Sequence, residues 1–175
     1  MPDALGGTSL SRDVDHSAMT RLLICLLAVL SVQRFCFADV TKLSAERLKA
    51  LRDFDRYREI SAATNLPPPI YALCADDKGR IADPGRKWNS TDVSVDEKLP
   101  RKRLIWAVLN GPYYVVHYER GGIDHSFHIL VAKLAKNDAK PKVVWHAVGK
   151  QLKDYAAFTD ALRSGKLDDR VNYPH

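Results

Sequence analysis

Across residues 113–132 apolar and polar side chains alternate on either side of Gly121-Gly122. That period, broken by a glycine pair, predicts two antiparallel strands and a tight turn. Similar β-branched or aromatic runs occupy 103–109, 113–119, 124–133 and 143–148, separated by Asn110-Gly111, Gly121-Gly122 and 137–142. Connections this short make consecutive strands antiparallel neighbours. Upstream, the spacing changes. Leu48, Leu51, Phe54, Tyr57 and Ile60 recur at helical intervals, so residues 44–63 read as an amphipathic helix capped by Ser44, with Glu46 in its first turn. Pro67-Pro68-Pro69 ends it. Residues 70–75 fit either a strand or a helical turn starting on Pro69.

Residues 76–100 carry Gly, Pro, Asp, Ser and Thr and read as a long loop, with Ile81, Trp88 and Val93 as the side chains that would hold it down. Asp154 can cap a last helix over 155–163, with Phe158, Ala161 and Leu162 inward and Gly165 ending it. The expected fold is α+β: an N-terminal amphipathic helix on a four-stranded, mostly antiparallel meander, with a short C-terminal helix.

The first 38 residues follow a different pattern. Residues 1–18 have no apolar period and read as an extension outside the fold. From Met19, a basic start, the apolar run 22–32 and small residues before Asp39 read as a secretory signal cleaved at that point. The run is short for a membrane span, although a short anchor is the alternative. Residues 39–175 form one expected domain in a secreted or periplasmic compartment. The formal charge of +6 falls entirely on that part, because Arg12, Arg21 and Arg34 offset Asp3, Asp13 and Asp15. A basic chain with a pI near 9.3 tolerates anionic partners. The mixed charges of the first helix do not form a nucleic-acid rail. Of three cysteines, only Cys74 lies beyond the signal. It reads as a buried thiol, with a reactive thiol or an intermolecular bridge as the sharper alternatives.

Candidate chemistry concentrates in 113–132, which holds three of the six histidines. With Gly121-Gly122 as a two-residue loop, His117 faces Ser126 and Glu119 faces Asp124. One face then carries His117, Glu119, Asp124, Ser126 and His128, bordered by Leu104 and Trp106, and the other is a mostly apolar floor for the first helix. A three-residue loop would instead bring His117 beside His125. The first register sorts polar from apolar side chains better.

Three uses of that face compete with a structural polar network. His117, Glu119 and His128 supply a nitrogen and oxygen ligand set for zinc or a similar ion. His117 as base, oriented by Glu119 or Asp124 with Ser126 as nucleophile, would make a small envelope hydrolase. Binding of a protein or small ligand without chemistry would use the same face, with Trp106, Tyr113 and Trp145 as anchors. That binding site comprises Trp106, Tyr113, His117, Glu119, Asp124, Ser126 and His128. No phosphate-cradling glycine motif is present and no cofactor is expected.

The segments Ala82-Asp83-Pro84-Gly85, Trp88-Asn89-x-Thr91-Asp92-Val93, Arg103-Leu104-Ile105-Trp106 and His117-Tyr118-Glu119-x-Gly121-Gly122 resemble a set of small secreted proteins of proteobacteria. They cover the middle third of the chain. The resemblance implies secretion and carries no activity or catalytic residue.

Overall fold

The computed structural model describes residues 43–52, 57–93, 96–136 and 138–169. The N-terminal extension, the signal segment and the Asp39 junction lie outside the described residues, as does the end of the tail. The elements are helix α1 (Ala45–Arg52), strand β1 (Arg58–Ile60), helix α2 (Pro68–Cys74), strands β2 (Lys102–Asn110), β3 (Tyr113–Arg120), β4 (Ser126–Lys133) and β5 (Lys142–Gly149), and helix α3 (Tyr155–Arg163). The strands form one antiparallel sheet in the order β1-β2-β3-β4-β5. The class is α+β.

The sheet has five strands, not four. The added strand comes from the expected first helix: α1 ends at Arg52, and Arg58–Ile60 pairs with Leu109, Val108 and Ala107 instead. Pairing a β-branched Ile60 with the β2 edge buries it without needing a helical stripe. Residues 70–75, open between strand and helix, lie mainly in α2, whose prolines occupy the first positions where no N–H is required. The last helix forms as expected, with the Asp154 carboxylate accepting from the Ala157 N–H at 2.8 Å.

Helices cover both faces of the sheet. On the front face, Val108, Val115, Ile129, Val131, Trp145 and Ala147 pack with Leu51 of α1 and Tyr155, Phe158 and Leu162 of α3. On the back face, Leu104, Ala107, Val116, Tyr118, Leu130 and Ala132 pack with Ile70 and Cys74 of α2. Burial on both sides explains why strand residues read as apolar runs in the middle of the sheet. It also removes the basis for choosing a register by sorting polar from apolar.

The observed β3–β4 register is set by a longer connection. Arg120 pairs with Ser126, Tyr118 with His128, His117 with Ile129 and Glu119 with Phe127. Residues 121–125 therefore link the strands, and the expected two-residue turn is not formed. Compared with that register the pairing shifts by an odd number, which exchanges the faces. The cause lies at Gly121. Its N–H donates to the Arg101 carbonyl at 2.9 Å and the Gly122 N–H donates to the Ser90 carbonyl at 3.3 Å. A Cβ on Gly121 would collide with the Asn89 carbonyl oxygen and come within 2.8 Å of Ser90 Cα. The connection is thus clamped against the loop that precedes β2. Gly121→Ala is expected to lower stability by about 1–3 kcal/mol, read as a lower urea midpoint; an unchanged midpoint would show that the clamp yields freely.

The β2–β3 turn also differs from expectation. Asn110 pairs with Tyr113, leaving Gly111-Pro112 as the turn, and a bulge at Ile105 puts Trp106 opposite His117 but Leu104 opposite Tyr118. The two residues expected to border one face point to opposite ones. In the long loop Ile81 is buried and Trp88 half-buried, whereas Val93 is 67% exposed and holds nothing down.

Candidate functional site

The front face near the β3–β4 connection closes on itself. Glu119, 2% exposed, sits opposite Arg103 and accepts from its Nε at 2.6 Å, while His125 Nε2 lies 2.9 Å from the other carboxylate oxygen. The Trp88 ring covers both partners, 5.1 Å from the Arg103 guanidinium carbon and 5.4 Å from the His125 ring. Both oxygens of the acid are engaged, and the indole fastens the long loop over them. This arrangement is a buried acid held from both sides, by Arg103 on one oxygen and His125 on the other.

His117 is equally committed. It is fully buried, and the Leu152 N–H donates to its Nε2 at 3.0 Å. Its Nδ1 therefore carries the proton and donates to the His128 carbonyl at 2.9 Å. Burial holds its pKa down at about 4, against favourable contributions from the His128 carbonyl and Glu119. Trp106 beside it donates Nε1–H to the Leu152 carbonyl at 2.8 Å and packs in the front core. Trp145 is buried and donates to Asp169 at 2.7 Å. Tyr113 starts β3, at the far end of the strand, roughly 20 Å from Glu119 at about 3.4 Å per residue. Asp124 is exposed in the connection.

Ser126 and His128 lie on the back face. His117, Glu119 and His128 are thereby split between faces, and among the described residues no group of three His, Cys, Asp or Glu side chains is placed to hold a metal.

What the back face assembles at this end is different. Lys102, Arg120 and Ser126 form one cross-strand row, each directly opposite the next. The adjoining row contains Leu104, Tyr118, His128 and Val148. His128, 1% exposed, stacks on the Tyr118 ring at 5.0 Å and on the His146 ring at 5.2 Å. Its Nε2 lies 2.8 Å from Ser126 Oγ and its Nδ1 lies 3.1 Å from His146 Nε2. A hydrogen-bonded chain thus runs from half-buried Ser126 through His128 to half-buried His146. Burial first, then His146, Lys102, Arg120 and His117, push the His128 pKa down to about 3.

Lys102 is the anomaly of this face. It is 8% exposed, yet its ammonium has no carboxylate within ion-pair distance among the described residues and lies over the Tyr118 ring, 5.2 Å away. Burial lowers its pKa, with the neighbouring Arg120 acting in the same direction and Cys74 and Asp76 opposing. The side chain lines a cavity of about 380 Å³ with Asp76, Asp77, Arg101, Arg120 and Gly121. Asp76 is the nearby buried acid, and it is spent on the backbone. Its Oδ1 accepts from Lys78 and Arg80 N–H groups and its Oδ2 from the Arg101 N–H. Burial alone would raise its pKa, but those donors and the Arg80 charge hold it below the usual carboxylate range. Cys74 packs beneath, pushed up to about 12 by burial, so its thiol stays protonated.

Ser126 and His128 are among the residues expected from the sequence; Lys102, Arg120 and His146 are not. The signals were available: Lys102 opens a β strand, and His146 interrupts an apolar run. Neither could be placed without the register.

The two depressed histidines have a consequence for stability. Both have an ordinary pKa of 6.5 and values of about 4 and about 3 in the folded chain, so the unfolded chain binds more protons below pH 6.5. Their contribution is complete above that pH and is lost progressively as pH falls toward 4 and then 3. The urea midpoint is expected to fall between pH 6.5 and 4.5, before ordinary carboxylates titrate fully; a flat midpoint there would contradict the buried neutral assignment.

The fold and site define an α+β protein whose sheet is covered on both faces and whose polar groups gather at one end of the back face. No family model, no curated protein and no solved structure matches this chain.

Proposed function

We propose that the protein is a binding module for an anionic ligand, seated between Lys102 and Arg120 with Ser126 alongside. The observation that carries this reading is the Lys102 ammonium. A buried charge with no carboxylate in ion-pair contact among the described residues is costly, and its position on a cavity wall supplies a reason for keeping it. Arg120 adds an exposed guanidinium directly across the strand pair, a geometry suited to carboxylate or phosphate oxygens. The reading keeps the hairpin at the centre of binding but moves the site to the opposite face from the expected one. The compartment is proposed to be secreted or periplasmic, on the strength of the signal-like pattern of residues 19–38. N-terminal sequencing of the exported protein is expected to begin at Asp39. Among the described residues no helix is long and apolar enough to cross a membrane.

Lys102→Met tests the site directly, because a functional charge and a structural one predict opposite outcomes. Removing a desolvated ammonium in favour of a thioether of similar length is expected to leave stability unchanged or raise it by about 1 kcal/mol. The same change is expected to abolish the rise in melting temperature that inorganic phosphate or succinate gives the wild type at low ionic strength. If neither anion stabilises the wild type and Lys102→Met unfolds more easily, the lysine is a structural partner of Tyr118 and the reading fails.

A further inference from the structure

We propose that Ser126 is a nucleophile toward esters whose acyl part carries a carboxylate, with His128 as its base and His146 as the positioning residue behind that base. The inference rests on the anion-site reading, which provides the seat for the carboxylate. Ser126 and His128 are two apart on β4 and share the back face. The Oγ–Nε2 distance of 2.8 Å and the Nδ1–Nε2 distance of 3.1 Å to His146 reproduce the order nucleophile, base, orienting group that serine acyl transfer requires. Here an imidazole occupies the orienting place that a carboxylate holds in the serine protease triad.

The surrounding charges decide which substrates such a chain accepts. When Ser126 attacks a carbonyl, its proton passes to His128 and an imidazolium forms there. Within the protein Lys102 and Arg120 oppose that charge, adding to burial and to His146. Other groups near the ring include Tyr118, whose burial keeps its phenol protonated, and His117 from the opposite face. A neutral ester leaves the two cations uncompensated. An ester bearing a carboxylate on its acyl chain compensates them, and the Lys102–Arg120–Ser126 row places that charge one or two strand spacings, about 5–10 Å, from the reacting carbon.

The reaction balances without any further reactant but water. Ser126 Oγ bonds to the acyl carbon and its proton moves to His128 Nε2. The bond from that carbon to the alcohol oxygen breaks, and the alcohol leaves with the proton. Water then attacks the acyl-serine and gives a proton to His128. That proton returns to Ser126 Oγ as the dicarboxylic acid departs. The net change is ester plus water to dicarboxylic acid plus alcohol.

The test compares p-nitrophenyl hemisuccinate with p-nitrophenyl butyrate, which differ by a carboxylate in place of a methyl group. Wild type is expected to hydrolyse the hemisuccinate about 100-fold faster than Ser126→Ala and to show a succinyl adduct mapped to Ser126 by mass spectrometry. The butyrate should turn over about tenfold more slowly, and Arg120→Ala should erase that difference. His146→Gln, which keeps a hydrogen-bonding atom, should retain more rate than His146→Leu and shift the pH–rate midpoint, which a packing role would not do. Labelling of the unaltered protein by a fluorophosphonate gives a readout that needs no variant to fold. Succinate binding, followed by calorimetry, separates the two ideas. Binding that depends on Arg120, with no adduct and no rate above Ser126→Ala, overturns the nucleophile and leaves the anion site standing. Equal rates on both esters overturn the anionic selectivity. No binding and no turnover overturn both.

Discussion

Replacing His117 with alanine is expected to destabilise the protein by about 4 kcal/mol. The imidazole is fully buried and joins two backbone groups, the His128 carbonyl and the Leu152 N–H. Alanine would strand both, at about 1–3 kcal/mol each, and leave a cavity beside Trp106 and Phe127. Relaxation and water entry recover part of that sum. A loss of this size is a large fraction of the stability of a small domain. It would appear as a urea midpoint shifted down with an unchanged slope. Native protein that remains should bind succinate as the wild type does, because His117 faces away from Lys102 and Arg120. If His117→Ala instead keeps its midpoint and loses the anion, the assignment of His117 as a structural histidine is wrong.

Glu119→Ala is expected to cost about 3 kcal/mol. Removing one member of a buried pair leaves the other without its counterion, a change worth about 3–5 kcal/mol when both are dry. The lower end applies because the Arg103 side chain is 28% exposed and keeps some water. His125, 41% exposed, adds little, as exposed pairs do. The variant should also loosen the long loop, since Trp88 rests on Arg103 and His125. Faster amide exchange at residues 86–91 would report that loosening. A double variant, Arg103→Ala with Glu119→Ala, should lose less than the sum of the two single changes. Strict additivity would mean that the two side chains do not interact.

Much of the architecture could be read from the chain because local rules and tertiary packing agree there. The four long strands and the last helix carry their periods openly, and the last helix its Asp154 cap. The first helix is where they disagree. Leu48, Leu51, Phe54, Tyr57 and Ile60 keep a helical interval, yet Tyr57 is exposed and Ile60 is buried in a strand against Ala107. Pairing with the β2 edge outweighed intrinsic propensity at that point.

The site was harder, for one reason. Face assignment in a strand depends on parity, so one misjudged loop moves every side chain. His117 and Glu119 were legible as polar groups on one face, but their partners Leu152 and Arg103 come from distant segments. Ser126 and His128 were legible as neighbours on one strand. Their true companions, Lys102, Arg120 and His146, depend on pairings that no local signal specifies. The clamp at Gly121 comes from residues 89 and 90, and nothing within the hairpin itself announces it.

The sequential strand order has a consequence for how the chain reaches its native state. Strands β2 to β5 each pair with their neighbour in the chain across short connections. Such local pairing has low contact order and closes quickly. One closure is different: β1 joins β2 across residues 61–101, which include α2 and the long loop. The meander can therefore assemble first, with its back face bare. Docking of α2 then covers the back face and surrounds Lys102. On that order the cavity wall is expected to be the last part of the back face to be completed and the first to open in partial unfolding, which amide exchange around Lys102 would show.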